Sequence, residues 1–163
     1  MKAVLVMGVA GSGKTTLAQA LAGFLVRPFV EGDDLHDGSA RAKMAAGEPL
    51  TDVDRAPWLD RIAARLARGD GPVVACSALK RAYRDRLRQA APFALVYCAI
   101  SPEEAARRLA LRAGHFFPAS LLPSQLATLE PPEPDEGAFF VDAALPPEAS
   151  AQAAAQALGL AGP

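Results

Sequence analysis

At 163 residues the chain has the length of one globular domain, enough to bury a core without disulfides or a structural metal. Apolar residues make up 51% of it and the formal net charge is only −1, which excludes a global electrostatic attraction to nucleic acid or a membrane surface and points to small, specific partners. No segment is long and apolar enough to span a bilayer, the opening MKAVLVMG is too short for a secretory core, and Cys76 and Cys98 lie in apolar runs that suit reduced core residues, so a cytoplasmic protein is expected.

Apolar runs alternate with stretches of helical period, the pattern of a parallel sheet flanked by helices. A first strand is expected at 3–7, leading through a glycine-rich loop into a helix over 15–25 whose Leu17, Leu21, Phe24 and Leu25 share one face. A second strand at 28–30 is followed by an irregular segment, 33–54. Then comes a helix with Trp58, Ile62 and Leu66 as its core stripe, Pro57 being tolerable only near its start. Strands at 73–76 and 93–100 follow. Ser101, Pro102 and Glu104 form a start signal in which serine caps, proline takes the first helical position and glutamate reaches back; that helix should run to about 113. The stretch 114–136 combines a hinge at Gly114, an amphipathic run through Leu121, Leu122, Gln125, Leu126 and Leu129, and prolines at 131, 132 and 134. A strand at 138–141 and an alanine-rich helix between Pro147 and Gly159 come last. With the glycine-rich loop at 8–15 reading G-x-x-x-x-G-K-[ST] between the first strand and the first helix, the expected architecture is a single α/β P-loop domain over 1–163. Its parallel five-stranded sheet carries helices on both faces, as in nucleoside-monophosphate kinases, with an acceptor-binding flap at about 33–54 and a lid at about 114–136.

Gly8-Val9-Ala10-Gly11-Ser12-Gly13-Lys14-Thr15 matches the phosphate-loop pattern G-x-x-x-x-G-K-[ST] without exception, after a strand and before a helix as that motif requires. Its glycines let successive N–H groups turn inward, and the helix that follows, beginning with Thr15 and Thr16, adds its positive end to the cradle. Lys14 is the candidate partner of the β and γ phosphates, and the Thr15 hydroxyl a candidate magnesium ligand. The loop alone does not say whether nucleotide is hydrolysed, sensed or used to phosphorylate. No guanine-reading N-K-x-D is present, and the third strand ends Ala75-Cys76-Ser77, without the acidic residue of a motor or AAA-type ATPase. These features point to an ATP-dependent small-molecule kinase.

Glu31-Gly32-Asp33-Asp34 follows the second strand, so carboxylates emerge at the carboxyl edge of the sheet, where open α/β folds bind ligands. Asp33 is the candidate that orients the acceptor hydroxyl and takes its proton late in the transfer, and it is also placed to hold a water on magnesium. Asp34 is read as the cap of the next helix.

Further blocks carry a resemblance: Gly32-Asp33-Asp34-Leu35-His36, Gly47-Glu48-Pro49-Leu50-Thr51-Asp52, Asp54-Arg55, Pro57-Trp58-Leu59, Cys76-Ser77-Ala78-Leu79-Lys80-Arg81 with Tyr83-Arg84-Asp85, Gly114-His115-Phe116 and Leu129-Glu130. Over about residues 3 to 142 the chain resembles the bacterial-type gluconokinases. The resemblance implies conversion of D-gluconate and ATP to 6-phosphogluconate and ADP with magnesium, in the cytoplasm, by a homodimer. Gluconate is a carboxylate bearing a row of hydroxyls, so its pocket needs a cation and several fixed hydrogen-bonding groups. Arg55, Lys43 and His36 in the first flap are candidates, Arg55 foremost because its planar fork can grip a carboxylate through two bonds. Ser77, Lys80 and Arg81 follow the third strand at the same edge. Arg112 resembles the lid arginine of this kinase superfamily, which lies against the nucleotide and neutralises charge on the transferring group, and His115 is a further substrate candidate. Ala40 stands where an asparagine is common in the family, leaving Ser39 to compensate. Two alternatives stay open: another acceptor on the same scaffold, such as shikimate or a nucleoside monophosphate, and a nucleotide-binding regulator without catalysis.

Overall fold

The computed structural model describes residues 1–112, 118–142 and 144–162. In chain order the elements are β1 (Ala3–Met7), α1 (Lys14–Leu25), β2 (Phe29–Glu31), a 3-10 turn (Gly32–Leu35), α2 (Gly38–Ala45), α3 (Asp52–Leu66), β3 (Val73–Ala75), α4 (Arg81–Ala90), β4 (Phe93–Tyr97) and α5 (Pro102–Ala110). After a 3-10 turn at Ala119–Leu121 come α6 (Leu122–Thr128), another at Pro134–Glu136, β5 (Phe139–Phe140) and α7 (Pro147–Ala157). The strands form one parallel sheet in the order β2-β3-β1-β4-β5.

Strand residues point alternately to opposite faces, and the sequence of β1 and β4 is apolar at every position because both faces are covered. Ala3, Leu5 and Met7 of β1, with Phe93, Leu95 and Tyr97 of β4, meet Trp58, Ile62 and Leu66 of α3 and Tyr83 and Leu87 of α4. Val4 and Val6, with Ala94 and Val96, meet α1 and the small residues Ala151, Ala154 and Ala155 of α7. A third apolar cluster joins Val9 and Ala10 of the phosphate loop to Ala105 and Leu109 of α5 and to Leu121 and Leu122 at the start of α6.

Several expectations are corrected. The buried stripe of α1 is Leu17, Ala18, Leu21, Ala22 and Leu25; Phe24 lies off that stripe and is 52% exposed. Helix α3 begins earlier than a proline near its start would suggest, at a capping box between Thr51 and Asp54, which makes Pro57 its sixth residue. The carbonyl that Pro57 leaves without an intrahelical donor belongs to Val53, which is 82% exposed and so open to water. Asp34 does not cap α2. Asp37 does, accepting from the Ala40 N–H at 2.8 Å, while Asp34 faces Arg41 at 3.4 Å. Ser101 caps α5 as expected, but Glu104 turns away to Arg107 and Arg108 (2.7 and 3.0 Å), which hold its carboxyl down at about 2, and the helix ends at Ala110. Amphipathic α4 was not placed from the sequence.

Arg84 of α4 is fully buried. It grips Glu136 through Nε and Nη2 at 2.7 and 2.9 Å and donates through Nη1 to the carbonyls of Ala78 and Leu79, while Arg88 adds a bond to the same carboxylate at 2.9 Å. The chain returning from α6 to β5 is thereby fastened to the sheet edge beyond β3. Arg81 braces the same return loop from outside through Asp135 and Glu133.

Candidate active site

The phosphate loop turns where its glycines allow. Gly11 and Gly13 have φ of 80° and 84°, in the left-handed region, and a Cβ on Gly11 would stand 2.6 Å from the Ala105 carbonyl of α5. Gly13 is the N-cap of α1 and offers no side-chain cap; no acidic residue lies in the first turn. The helix therefore presents its unsatisfied first-turn N–H groups and positive end to an incoming anion.

Three cavities lie in sequence along the carboxyl edge of the sheet. The first, about 410 Å³, is bounded by Gly11, Ser12, Gly13, Thr16, Arg108 and Arg112 on one side and by Val141, Asp142, Leu145 and Ser150 on the other, a space suited to a nucleoside. The second, about 260 Å³, holds Ala10, Gly11, Lys14, Thr15, Glu31, Asp33, Ser77, Arg112 and Gln125. The third, only about 30 Å³, is walled by His36, Met44, Pro49, Leu50, Trp58 and Leu121 and carries Asp33, Arg55, Ser77 and Gln125. Gly11 and Arg112 line both the first and the second; Asp33, Ser77 and Gln125 line both the second and the third.

The polar groups of the middle cavity are held by their neighbours. Thr15 donates its hydroxyl to Glu31 at 2.7 Å, and the other Glu31 oxygen accepts from the Asp33 N–H at 3.3 Å. Hydroxyl and carboxylate oxygens alone make up this set, the donors magnesium takes while keeping water and phosphate oxygens for its remaining positions. Among the described residues no three of His, Cys, Asp and Glu form a self-sufficient metal cage.

In the third cavity His36 is buried, stacks on Trp58 with ring centres 4.4 Å apart, and has an Nδ1 with no hydrogen-bond partner. Burial pushes its pKa below the ordinary histidine value, so the ring is neutral at physiological pH. Trp58 is anchored by its own N–H to the Gly32 carbonyl at 2.7 Å. Arg55 donates to the Tyr83 hydroxyl at 3.1 Å and lies over that ring, and Tyr83 in turn donates to Asp52. Burial, then the bond to Asp52, raises the Tyr83 pKa, so the phenol stays protonated and Arg55 keeps its net charge for a ligand. Cys76 and Cys98 are buried thiols pushed up to about 12, which removes them from nucleophilic chemistry.

Of the candidates read from the sequence, the structure brings together Gly11, Ser12, Gly13, Lys14, Thr15, Thr16, Asp33, His36, Arg55, Ser77 and Arg112, with Ala10 at the rim. Gly8 is packed against Ser12, and Val9 is core. Three cations are engaged elsewhere: Lys43 with Asp54 at 2.9 Å, Lys80 with Asp52 at 3.1 Å and Arg81 with Asp135 at 2.6 Å, none of them lining these three cavities. Ser39 is exposed and Ala40 buried, so a serine there does not stand in for an amide. His115 and the hinge Gly114 lie outside the described residues. Glu31, Arg108 and Gln125 were not singled out as site residues. Arg108 precedes Arg112 by one helical turn, and Gln125 is the one polar residue in the apolar stripe of its amphipathic run; both spacings were available as signals.

A family model described as an AAA domain matches residues 4–132. A gluconokinase of Gluconobacter oxydans is 53% identical over 138 residues, covering 82% of this chain and 78% of its own. Among solved structures, a gluconokinase from Sinorhizobium meliloti 1021 superposes with a TM-score of 0.88 at 46% identity, covering 97% of this chain and 91% of that one. A sugar kinase from Janibacter sp. HTCC2649, unliganded, gives 0.90 at 44%, covering 99% and 96%. A phosphate loop opening onto two further cavities, with identities of this size over most of each partner's length, leads to one placement: the chain belongs to the gluconokinase family.

Proposed function

We propose that the protein transfers the γ-phosphoryl group of ATP to the terminal hydroxyl of D-gluconate, giving 6-phosphogluconate and ADP. The observation that carries this is the row of three cavities, with Arg112 where the first two meet and Asp33 and Ser77 where the last two meet. Such an order supports nucleoside, polyphosphate and acceptor in neighbouring compartments, the proximity that direct transfer between them needs. The amides of residues 11 and 13–16 grip the polyphosphate with Lys14, those of Ala10 and Ser12 being held by Gln125 and the Val9 carbonyl. Thr15, Glu31 and Asp33 are the groups that would hold magnesium, whose charge, when it is bound, neutralises the β- and γ-phosphate oxygens. Asp33 aims the acceptor O–H at phosphorus and accepts its proton as the new P–O bond forms and ADP departs with the old one. Arg112 stabilises charge on the transferring group from the opposite side. Arg55 pairs with the gluconate carboxylate, and His36 and Ser77 read its hydroxyls, the unpartnered Nδ1 of His36 being an open hydrogen-bonding position in that wall.

The acceptor cavity, about 30 Å³, is well below the roughly 300 Å³ at the small end of ligand pockets, so the flap carrying Met44, Pro49 and Leu50 must move out from α6 to admit the sugar acid. The reading includes a cytoplasmic homodimer; among the described residues no helix is long and apolar enough to cross a membrane. A coupled ADP-release assay over gluconate, other aldonates, shikimate and nucleoside monophosphates tests it. Turnover is expected with gluconate, and turnover with shikimate or a nucleotide alone refutes it.

A further inference from the structure

Gln125 lies in α6, yet it is in neither the nucleotide cavity nor the apolar cluster beneath it. It lines the acceptor and the phosphate cavities together, a position it shares only with Asp33 and Ser77 among the described residues. Its Oε1 accepts from the main-chain N–H of Ala10 at 2.7 Å, across 115 residues of sequence. Leu121 and Leu122, one turn earlier, pack on Val9 and Ala10, so this bond is the polar end of an otherwise apolar contact between α6 and the phosphate loop. Among the described residues the amide nitrogen has no acceptor, and it is not sealed from solvent, so it remains available to a ligand in the space the two cavities share.

We propose that Gln125 is a positioning residue for transfer: it ties α6, the wall of the acceptor cavity, to the Ala10 N–H at the rim of the phosphate loop, and so keeps the loop set and water out of the point where acceptor and γ-phosphoryl meet. A loop held from the acceptor side is in its working conformation when α6 is seated, and a seated α6 is what closes the acceptor cavity. Water is a competing nucleophile at that point, and a wall that loses its polar tie admits it.

The inference rests on the phosphoryl-transfer reading, and the experiment separates the two. If wild-type protein shows no ATP-dependent turnover of gluconate, the functional reading has failed, whatever Gln125 does. With wild type active, Gln125→Met keeps side-chain length and packing but loses the acceptor oxygen. It is expected to lower kcat for transfer by about tenfold, to raise the ratio of ATP hydrolysed to acceptor phosphorylated several-fold, and to leave the calorimetric Kd for ATP and the Tm near wild type. An unchanged ratio of hydrolysis to transfer overturns the proposal. So does tighter ATP binding with faster turnover, which would make the Ala10 bond an obstacle that polyphosphate must displace. Should Gln125→Met fail to fold, Gln125→Glu still offers an oxygen to Ala10 and must keep the wild-type ratio; a raised ratio there refutes the assignment equally.

Discussion

Replacing Glu136 by Gln tests how the loop returning from α6 is fixed. Its side chain is 1% exposed and accepts bonds from Arg84, Arg88 and the Glu133 N–H, and the Arg84 guanidinium foremost holds its carboxyl at about 2, against an ordinary 4.5. At about 1.4 kcal/mol per pH unit, that difference amounts to ~3 kcal/mol of folding stability. The folded value lies below the unfolded one, so the stabilisation is complete above pH 4.5 and disappears as the pH falls toward 2. Removing the charge at pH 7 also strands a fully buried arginine, a change that typically costs about 3–5 kcal/mol. Urea unfolding at pH 7 should show Glu136→Gln less stable by ~3 kcal/mol, equivalent to ~6–12 °C in Tm for a domain of this size. The deficit should shrink to roughly half at pH 3, because the wild type is losing the same contribution there. The double variant Arg84→Met, Glu136→Leu should recover most of the loss, since neither charge remains to be desolvated. A single variant within about 0.5 kcal/mol of wild type at pH 7 would refute the reasoning.

Three further outcomes are expected. Lys14→Ala removes the cation facing the polyphosphate and should lower kcat by at least about two orders of magnitude, measured by coupled ADP release. Arg55→Ala should raise the Michaelis constant for gluconate by about 10- to 100-fold, the value of a charge-assisted pair, and barely change that for ATP; equal shifts in both would remove Arg55 from the carboxylate role. Because burial lowers the His36 pKa, any change in gluconate affinity that follows its protonation should be centred below pH 6.5 by calorimetry; a change centred at or above 6.5, as for a histidine with an ordinary value, would refute this.

The phosphate loop was legible because its geometry is local: eight consecutive residues, three of them glycine, determine how the backbone turns and where Lys14 and Thr15 stand. The sheet was legible for a similar reason, since a parallel strand covered on both faces leaves an unbroken apolar run such as 3–7 or 93–97. Lys43, Lys80 and Arg81 show where that legibility ends. A basic residue in a substrate-rich block reads alike whether it faces a ligand or a carboxylate, and Asp54, Asp52 and Asp135 are brought to these three only by the packing of α2, α3, α4 and the return loop. Phe24 differs from Leu25 by one step of about 100° around the helix, and only the seat of α1 between the sheet and α7 decides which of them meets the core. Gln125 was visible as a polar residue among leucines, but the Ala10 N–H that explains it lies 115 residues away in the sequence and meets it only once the chain has folded.

Gly32 links the sheet to the chemistry. A Cβ there would come within 2.4 Å of the Ala75 carbonyl, so the backbones leaving β2 and β3 touch with no side chain between them. Asp33 and Ser77 therefore inherit their separation from bare main chain, with nothing trimmable in between. Evolution toward longer or shorter sugar acids would have to leave that gauge untouched and reshape the far wall, where Met44, Leu50 and Leu121 offer side chains that can be exchanged one at a time.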